Sequence, residues 1–369
     1  VRYGRLTIVT PGGIALSHGW DDGPQAVLAL KRWRTLWRLL FQGDIAFAES
    51  YLDGDWDSPD LPALIEFAGR NISTLNEAME PSWGQRLLNR LRHALNANTR
   101  RGSRRNIQRH YDLGNDFYRL WLDPGMTYSS ALYTAADQTL EEAQAAKQDR
   151  AIELLDLRQG DSVLEIGIGW GALAERLAQA GCRVTGVTLS PSQLAVAQER
   201  VGPAADLLLQ DYRDVAGAFD RIVSIEMIEA VGERYWPAFF GTLRDRLRPG
   251  GLAVLQAITI REDLFNGYRQ CTDFIQHYIF PGGMLPTKAI IEAQSDAAGL
   301  MVRSIETFGL SYARTLAEWR QRFHAAWPEI ELQGFDTRFR RMWDYYLAYC
   351  EGGFRAGNID VGYYVLVRE

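Results

Sequence analysis

One short run carries the densest chemical information in this chain: Glu165-Ile166-Gly167-Ile168-Gly169-Trp170-Gly171. The residues before it, 162–166, read as a buried strand, and 172–179 after it read as a helix, so the glycines fall in a strand-to-helix turn. Glycine permits a tight turn and lets a ligand approach the backbone closely. The spacing is not Gly-x-Gly-x-x-Gly, so the phosphate-binding fingerprint of a dinucleotide fold is missing. Thr188-Leu189-Ser190 ends a second strand, where a ribose-reading group sits in nucleotide-binding sheets, and Gln210-Asp211-Tyr212 ends a third. Asp211 offers an acceptor to an adenine amino group, and Tyr212 offers a ring to stack on the base. Taken singly, each has an ordinary explanation, such as a ligand-free glycine turn or a loop carboxylate. Ligands in parallel sheets bind outside the carboxyl ends of the strands, so the three clusters converge on one crevice and together favour an adenosyl cofactor.

The elements that must position these groups are legible as strand–helix alternation from Asp161 onward. Strand patterns occur near 162–166, 183–187, 207–209, 221–225 and 252–256, with helical patterns at 172–179, 192–200 and 235–247. Pro249-Gly250-Gly251 reads as the stop signal of the last helix. This alternation predicts an α/β fold with a mostly parallel, doubly wound, Rossmann-like sheet. Residues 1–95 read differently, as a smaller N-terminal domain. A strand is expected near 5–10, a turn at Pro11-Gly12-Gly13, a helix over about 24–41, a loop at Asp53-Gly54-Asp55 and a short helix over 61–69. Eight arginines and no acidic residue fall between Arg86 and Arg109, which marks a basic linker over about 96–109 ahead of the larger domain, 110–369.

Composition narrows the function. The chain has 369 residues and a net charge of −6, which argues against nucleic-acid binding. Its three cysteines are far apart and form no Cys-x-x-Cys pair, so neither a disulfide scaffold nor a metal site is expected, and a cytoplasmic location fits. No apolar run reaches transmembrane length, and the first residues lack the apolar core of a signal peptide. Within Lys31–Phe41, Trp33, Leu36, Trp37, Leu40 and Phe41 gather on one side at helical spacing. That face suits a lipid interface or packing within the N-terminal domain. The arginine-rich segment adds local charge for an anionic leaflet.

Six motifs in order then give the sequence a recognisable likeness. They are Gln108-Arg-His-Tyr-Asp-Leu-Gly-Asn-Asp-Phe, Met126-Thr-Tyr-Ser-Ser, the Glu165 glycine run, Ser224-Ile-Glu-Met-Ile-Glu-Ala-Val-Gly, Tyr278-Ile-Phe-Pro-Gly-Gly-Met-Leu-Pro and Ser311-Tyr-Ala-Arg-Thr-Leu. From about Asn106 onward the chain resembles the cyclopropane-fatty-acyl-phospholipid synthase family, which includes the mycolic acid cyclopropane synthases. The resemblance implies a class I methyltransferase fold that uses S-adenosylmethionine (SAM). It implies that Tyr128 and Ser129 close over the methionine part, with Gly167 and Gly169 beneath it. It places Thr188, Leu189 and Gln193 on the ribose side and Asp211 and Tyr212 on the adenine side. It also implies a bicarbonate ion acting as base, held at Ser130, Glu229, Gln256, Ile258 and Tyr312. Ser130 stands where the family usually has cysteine, and Gln256 where it usually has histidine.

What the resemblance implies chemically is methyl transfer onto an alkene. The cation so formed must be kept from water, and aromatic faces stabilise it. Phe274, Tyr278, Phe280, Tyr312 and Trp319 are candidates, and for each one core packing is the ordinary alternative. The aromatic stretch from Leu264, within about 264–290, is read as a cap over the acyl pocket. Loss of a proton from the transferred methyl closes a cyclopropane, whereas loss along the chain leaves a methyl-branched or methylene-bearing product. The departures at Ser130 and Gln256 tilt the expectation to the second outcome. The substrate expected is an unsaturated acyl chain of a membrane phospholipid, reached by peripheral contact with the inner face of the membrane, and homo-oligomers are compatible with the sequence. Two other readings remain: a small-molecule or quinone SAM-dependent methyltransferase, and a non-catalytic lipid-binding protein.

Overall fold

A computed structural model describes residues 2–72 and 113–369. The Arg86–Arg109 segment, the expected boundary near residue 95 and the start of the Gln108 motif lie outside the described residues. The chain divides into two compact units. One gathers Val1–Leu95, Asn266–Ile279 and Tyr312–Ile359, and the other gathers Asn96–Phe265, Phe280–Ser311 and Asp360–Glu369.

The first unit contains β1 (Arg5–Val9), β2 (Ala15–Gly19), β3 (Gln25–Leu30) and β4 (Trp56–Asp57) in the order β2-β1-β3-β4. The helix expected over about 24–41 is instead β3 followed by a helix, Arg34–Leu52. In β3 the residues Ala26, Leu28 and Leu30 are buried in alternation. That is a period of two, and pairing with β1 turns the short apolar run into a strand. The helix breaks its pattern at Gly43, whose φ of 84° no ordinary helical residue adopts. The helix Leu61–Arg70 starts on the Asp60 carboxylate, which accepts from the Ala63 N–H. It packs so tightly on the helix Thr337–Arg355 that a Cβ on Gly352 would lie 2.6 Å from the Ile65 Cβ.

The second unit is organised by a seven-stranded sheet. Its strands are β5 (Ser162–Ile166), β6 (Arg183–Thr188), β7 (Ala205–Leu209), β8 (Phe219–Ile225), β9 (Leu247–Ile260), β10 (Leu300–Thr307) and β11 (Ile359–Arg368). Their order is β10-β11-β9-β8-β5-β6-β7. The neighbours among β5 to β9 pair in parallel, and β10 pairs with β11 antiparallel. Val163, Val223 and Val254 in the strands and Ala174 and Leu177 in the helix Ala172–Gln179 are fully buried together. Such two-sided burial explains why β5 reads as an unbroken apolar run. The helix Trp236–Arg246 ends before Pro249, and Pro249-Gly250-Gly251 lies inside the span of β9 rather than at the helix end. The strand order reverses at β5, which makes its carboxyl end the point where a doubly wound sheet opens a ligand crevice.

Candidate cofactor and catalytic site

The glycine turn leaves β5 at that point. Gly167, Gly169 and Gly171 all have positive φ. A Cβ on Gly167 would sit 2.5 Å from the Met227 Cγ, and one on Gly171 would sit 2.9 Å from the Ala197 Cβ, so both glycines are required by the protein's own packing. A Cβ on Gly169 would meet nothing within 4 Å, because that residue faces the open cleft. Tyr128 and Ser129 line the same cleft, as do Thr188, Leu189, Gln193, Asp211 and Tyr212, so all nine cofactor positions read from the sequence are brought together. The Ser190 side chain caps the helix Pro191–Val201 and so holds Gln193 at its first turn, while Thr188 bonds both the Ser190 N–H and the Gln193 side chain. Asp211 takes a two-pronged bond from Arg213, and Tyr212 is buried edge-on to Phe239.

A second wall was not anticipated from the sequence. The helix Leu140–Leu154 opens on a capping box between Thr139 and Glu142 and buries Leu140, Ala143, Gln144, Lys147, Gln148 and Ala151. Those positions recur at helical spacing, but three of the six are polar. Gln144 donates to the Ser129 carbonyl at 2.9 Å, and the Lys147 Nζ donates to the Ser129 Oγ at 2.8 Å. Burial pulls Lys147 down to about 8 against the opposing charges of Glu226, Asp123 and Glu165. Burial pushes Glu165 up to about 8, with Lys147 opposing. The Glu165 Oε2 is buried with no hydrogen-bond partner. Both residues line the cleft, where a cation and an acceptor suit the carboxylate and ammonium of an amino-acid ligand.

The carboxylates at the end of β8 form the remaining part of the site. Glu226 lines the cleft and holds a left-handed backbone with φ of 50°. Its Oε1 accepts from the Ser130 N–H at 2.8 Å and from the Gln256 Nε2 at 2.7 Å. Three residues on, the Glu229 Oε1 accepts from the Ile258 N–H at 2.5 Å, while its Oε2 is buried without a partner. Burial first, and then the charge of Glu226, push Glu229 up to about 8. The Glu229 carbonyl also accepts from the Met284 N–H, which fastens the loop whose Phe280, Pro281 and Gly283 line the cleft.

Of the residues expected around an anion, Ser130, Gln256, Ile258 and Glu229 are therefore gathered. Glu226 joins Ser130 to Gln256, as Glu229 holds Ile258. Tyr312 belongs to the first unit, where it is buried against Phe354 and Trp319. Phe274 and Tyr278 also lie in the first unit, and among the five aromatic candidates only Phe280 lines the cleft. The donor set does not fit a bicarbonate ion. The Ser130 N–H and the Gln256 amide serve Glu226, and the Ile258 N–H serves Glu229.

A family model described as mycolic acid cyclopropane synthetase matches residues 98–364. The chain is 41% identical over 340 residues to the tuberculostearic acid methyltransferase UfaA1 of Mycobacterium tuberculosis, covering 89% of this chain and 79% of that protein. It is 38% identical over 337 residues to the cyclopropane-fatty-acyl-phospholipid synthase of Escherichia coli K12, covering 90% of this chain and 85% of that one. The crystal structure of the mycolic acid cyclopropane synthase CmaA1 complexed with SAH and CTAB superposes with a TM-score of 0.67 at 33% identity, over 72% of this chain and 98% of that one.

Proposed function

This chain belongs to the mycolic acid cyclopropane synthetase family of SAM-dependent methyltransferases, and from that premise we propose that it methylates the double bond of an unsaturated acyl chain carried in a membrane phospholipid. When bound, SAM supplies an electrophilic sulfonium methyl. Gly167 and Gly169 would lie under its methionine part and Tyr128 and Ser129 over it, with Glu165 and Lys147 meeting the ammonium and the carboxylate. Thr188, Leu189 and Gln193 would face the ribose, and Asp211 and Tyr212 the adenine.

The observation that carries the reading is the stretch of cleft lined by Met227, Ala230, Val231, Phe280 and Pro281, which is apolar but for the Glu226 carboxylate. An apolar wall excludes water from a carbocation, Phe280 offers it a ring face, and a carboxylate accepts its proton. A hydrophilic methyl acceptor would need polar groups at that wall. The relatives' names include both a methyltransferase and a cyclopropane synthase, so the residues must decide between products. Gln256 carries no titrating proton, and with Ser130 it supports an open-chain, methyl-branched or methylene-bearing product over a ring.

Access to lipid is supported by the first unit. Trp33, Trp37, Leu40 and Phe41 are exposed, and the rings of Trp37 and Phe41 stack 5.1 Å apart. The polar side of the same segment is tied inward, with Arg34 and Arg38 paired to Asp55 and Asp53. An exposed aromatic face beside basic residues suits a lipid interface. Among the described residues, no helix is long and apolar enough to cross a membrane.

The test is transfer of labelled methyl from SAM into liposomes of a monounsaturated phospholipid, with the saturated phospholipid alongside. Label entering only the unsaturated lipid, within its acyl chains, is expected. Equal labelling of both, or label in the headgroup, contradicts the reading.

A further inference from the structure

We propose that Glu226 is the catalytic base, a carboxylate built into the chain that does the work of a captured inorganic anion. The inference rests on the reading of the cleft as an alkene methyltransferase site, and three separate observations lead to it.

The first is conformational. Glu226 is one of three non-glycine residues with positive φ among the described residues. A left-handed backbone at such a side chain costs about 1 kcal/mol or more, and such strain concentrates at functional positions. Glycine would relieve it, yet the chain has a carboxylate there.

The second is the donor arrangement. The Ser130 N–H, on the loop beside Tyr128 and Ser129, and the Gln256 amide, on β9, both aim at one oxygen of Glu226. Because a carboxylate only accepts, the Gln256 side chain must present its NH2 to it. The Gln256 Oε1 is then left buried with no partner, a cost the site accepts in order to hold Glu226. The backbone joins in, since the Glu226 N–H donates to the Gln256 carbonyl at 2.7 Å.

The third is placement. Glu226 lines the cleft alongside Met227, Ala230 and Phe280, whereas Glu229 does not line it and instead pins the Ile258 N–H. Glu229 is thus a positioning residue and Glu226 the one that meets substrate.

The step balances without a co-reactant beyond SAM. The alkene π pair forms the new carbon–carbon bond as the sulfur–methyl bond breaks, giving S-adenosylhomocysteine and a carbocation. The Glu226 carboxylate then takes a proton from a carbon adjacent to the cation. The C–H pair becomes the product's double bond, and Glu226 is left as the neutral acid, which returns its proton to solvent.

Two variants test this. Glu226→Gly suits the left-handed backbone and opens the anion position, while Glu226→Gln keeps the position filled but removes the base. In buffer stripped of carbon dioxide the wild type should keep its full rate. Both variants should retain SAM affinity by calorimetry and lose about a hundredfold or more in methyl transfer. Bicarbonate or formate should restore Glu226→Gly at least tenfold and leave Glu226→Gln unchanged. Bicarbonate binding, followed by carbon-13 NMR on the SAM-loaded proteins, should appear in Glu226→Gly and be absent from the wild type. That readout needs no lipid, so it stands even if the substrate reading fails, and wild-type SAM binding without lipid labelling identifies that other failure. A wild type that binds bicarbonate and requires it, or a Glu226→Gly variant active without any added anion, overturns the proposal.

Discussion

Two regions of this protein bury carboxylates and treat them in opposite ways. In the first unit, Asp344 accepts hydrogen bonds from the Tyr51 hydroxyl, the Arg320 Nε and the His324 Nε2, each at 2.6 Å. Burial pushes its pKa up, but the His324 bond, the Arg320 charge and the Tyr51 bond outweigh burial and hold it at about 2. In the second unit, Glu165 and Glu229 are pushed up to about 8 by burial, and each keeps one buried oxygen without a partner. Burial is common to both regions, so burial alone does not set the outcome. A buried carboxylate ringed by cations and a hydroxyl stays charged, whereas one buried without a cation bonded to it and with an oxygen left open keeps its proton.

The comparison breaks most visibly at Asp344. Replacing it with alanine leaves the buried Tyr51 hydroxyl without its acceptor, while the partly exposed Arg320 and His324 can turn to water, so the loss should be about 1–3 kcal/mol. Denaturant unfolding checks this, and a loss below about 1 kcal/mol would class the hub with surface ion pairs. The pH dependence has a definite sign. Asp344 has a lowered pKa, so its contribution is present above the unfolded value near 3.8 and is lost as the pH falls toward about 2.

Lys147→Met should do the reverse, sparing the fold and harming the ligand. The neutralised Glu165 need not stay charged, so stability should change by less than about 1 kcal/mol. SAM affinity should fall about tenfold or more, as expected for a lost charge-assisted bond. Calorimetry with 5′-methylthioadenosine, which lacks the amino-acid end, should show no loss. Equal losses for both ligands would remove Lys147 from the role given to it.

Glu229→Gln probes the other side of the comparison more gently. The raised pKa means the folded chain keeps a proton that the unfolded chain releases, so wild-type stability declines as pH rises from about 4.5 to about 8. The glutamine variant should lack that decline and gain steadily on the wild type across the window. Parallel pH profiles would mean that Glu229 ionises freely. The smallest effect on folding belongs to the exposed face of the first unit. Trp37→Ala with Phe41→Ala should change stability by under about 0.5 kcal/mol while clearly reducing sedimentation with phospholipid vesicles. Undiminished sedimentation would leave that face without a role.

The contrast between regions also explains what the sequence disclosed. Thr188, Leu189, Asp211 and Tyr212 stand at or just past the carboxyl ends of strands and Gly167 and Gly169 form the turn, so a local pattern marks them, whereas Tyr128, Ser129 and Gln193 are marked only by the family resemblance; all nine line one cleft. Lys147 carries no such mark, and Glu226 follows β8 as one of two carboxylates in a single motif, with nothing local to set it apart from Glu229. The significance of Glu226 lies in a backbone angle and two donors brought from elsewhere in the chain, 96 and 30 residues away. Lys147 reads as an ordinary charged helical residue until the sheet buries it. In the same way, the sequence of β3 reads as helix because six apolar-rich residues fit either period until a partner strand is present. The assignment of Asn266–Ile279 and Tyr312–Ile359 to the first unit depends on contacts between distant segments, which no local pattern announces.

Two proposed events can be read from one product: methylation of an acyl double bond in the cleft, and removal of the following proton by a protein carboxylate. The most direct measurement is NMR of the lipid formed from monounsaturated phospholipid and carbon-13-methyl SAM. The labelled carbon should enter the acyl chain of an open-chain product that retains an olefinic bond, with no high-field cyclopropane resonance. A labelled cyclopropane as the sole product contradicts the proton path, and label outside the acyl chain contradicts the function itself.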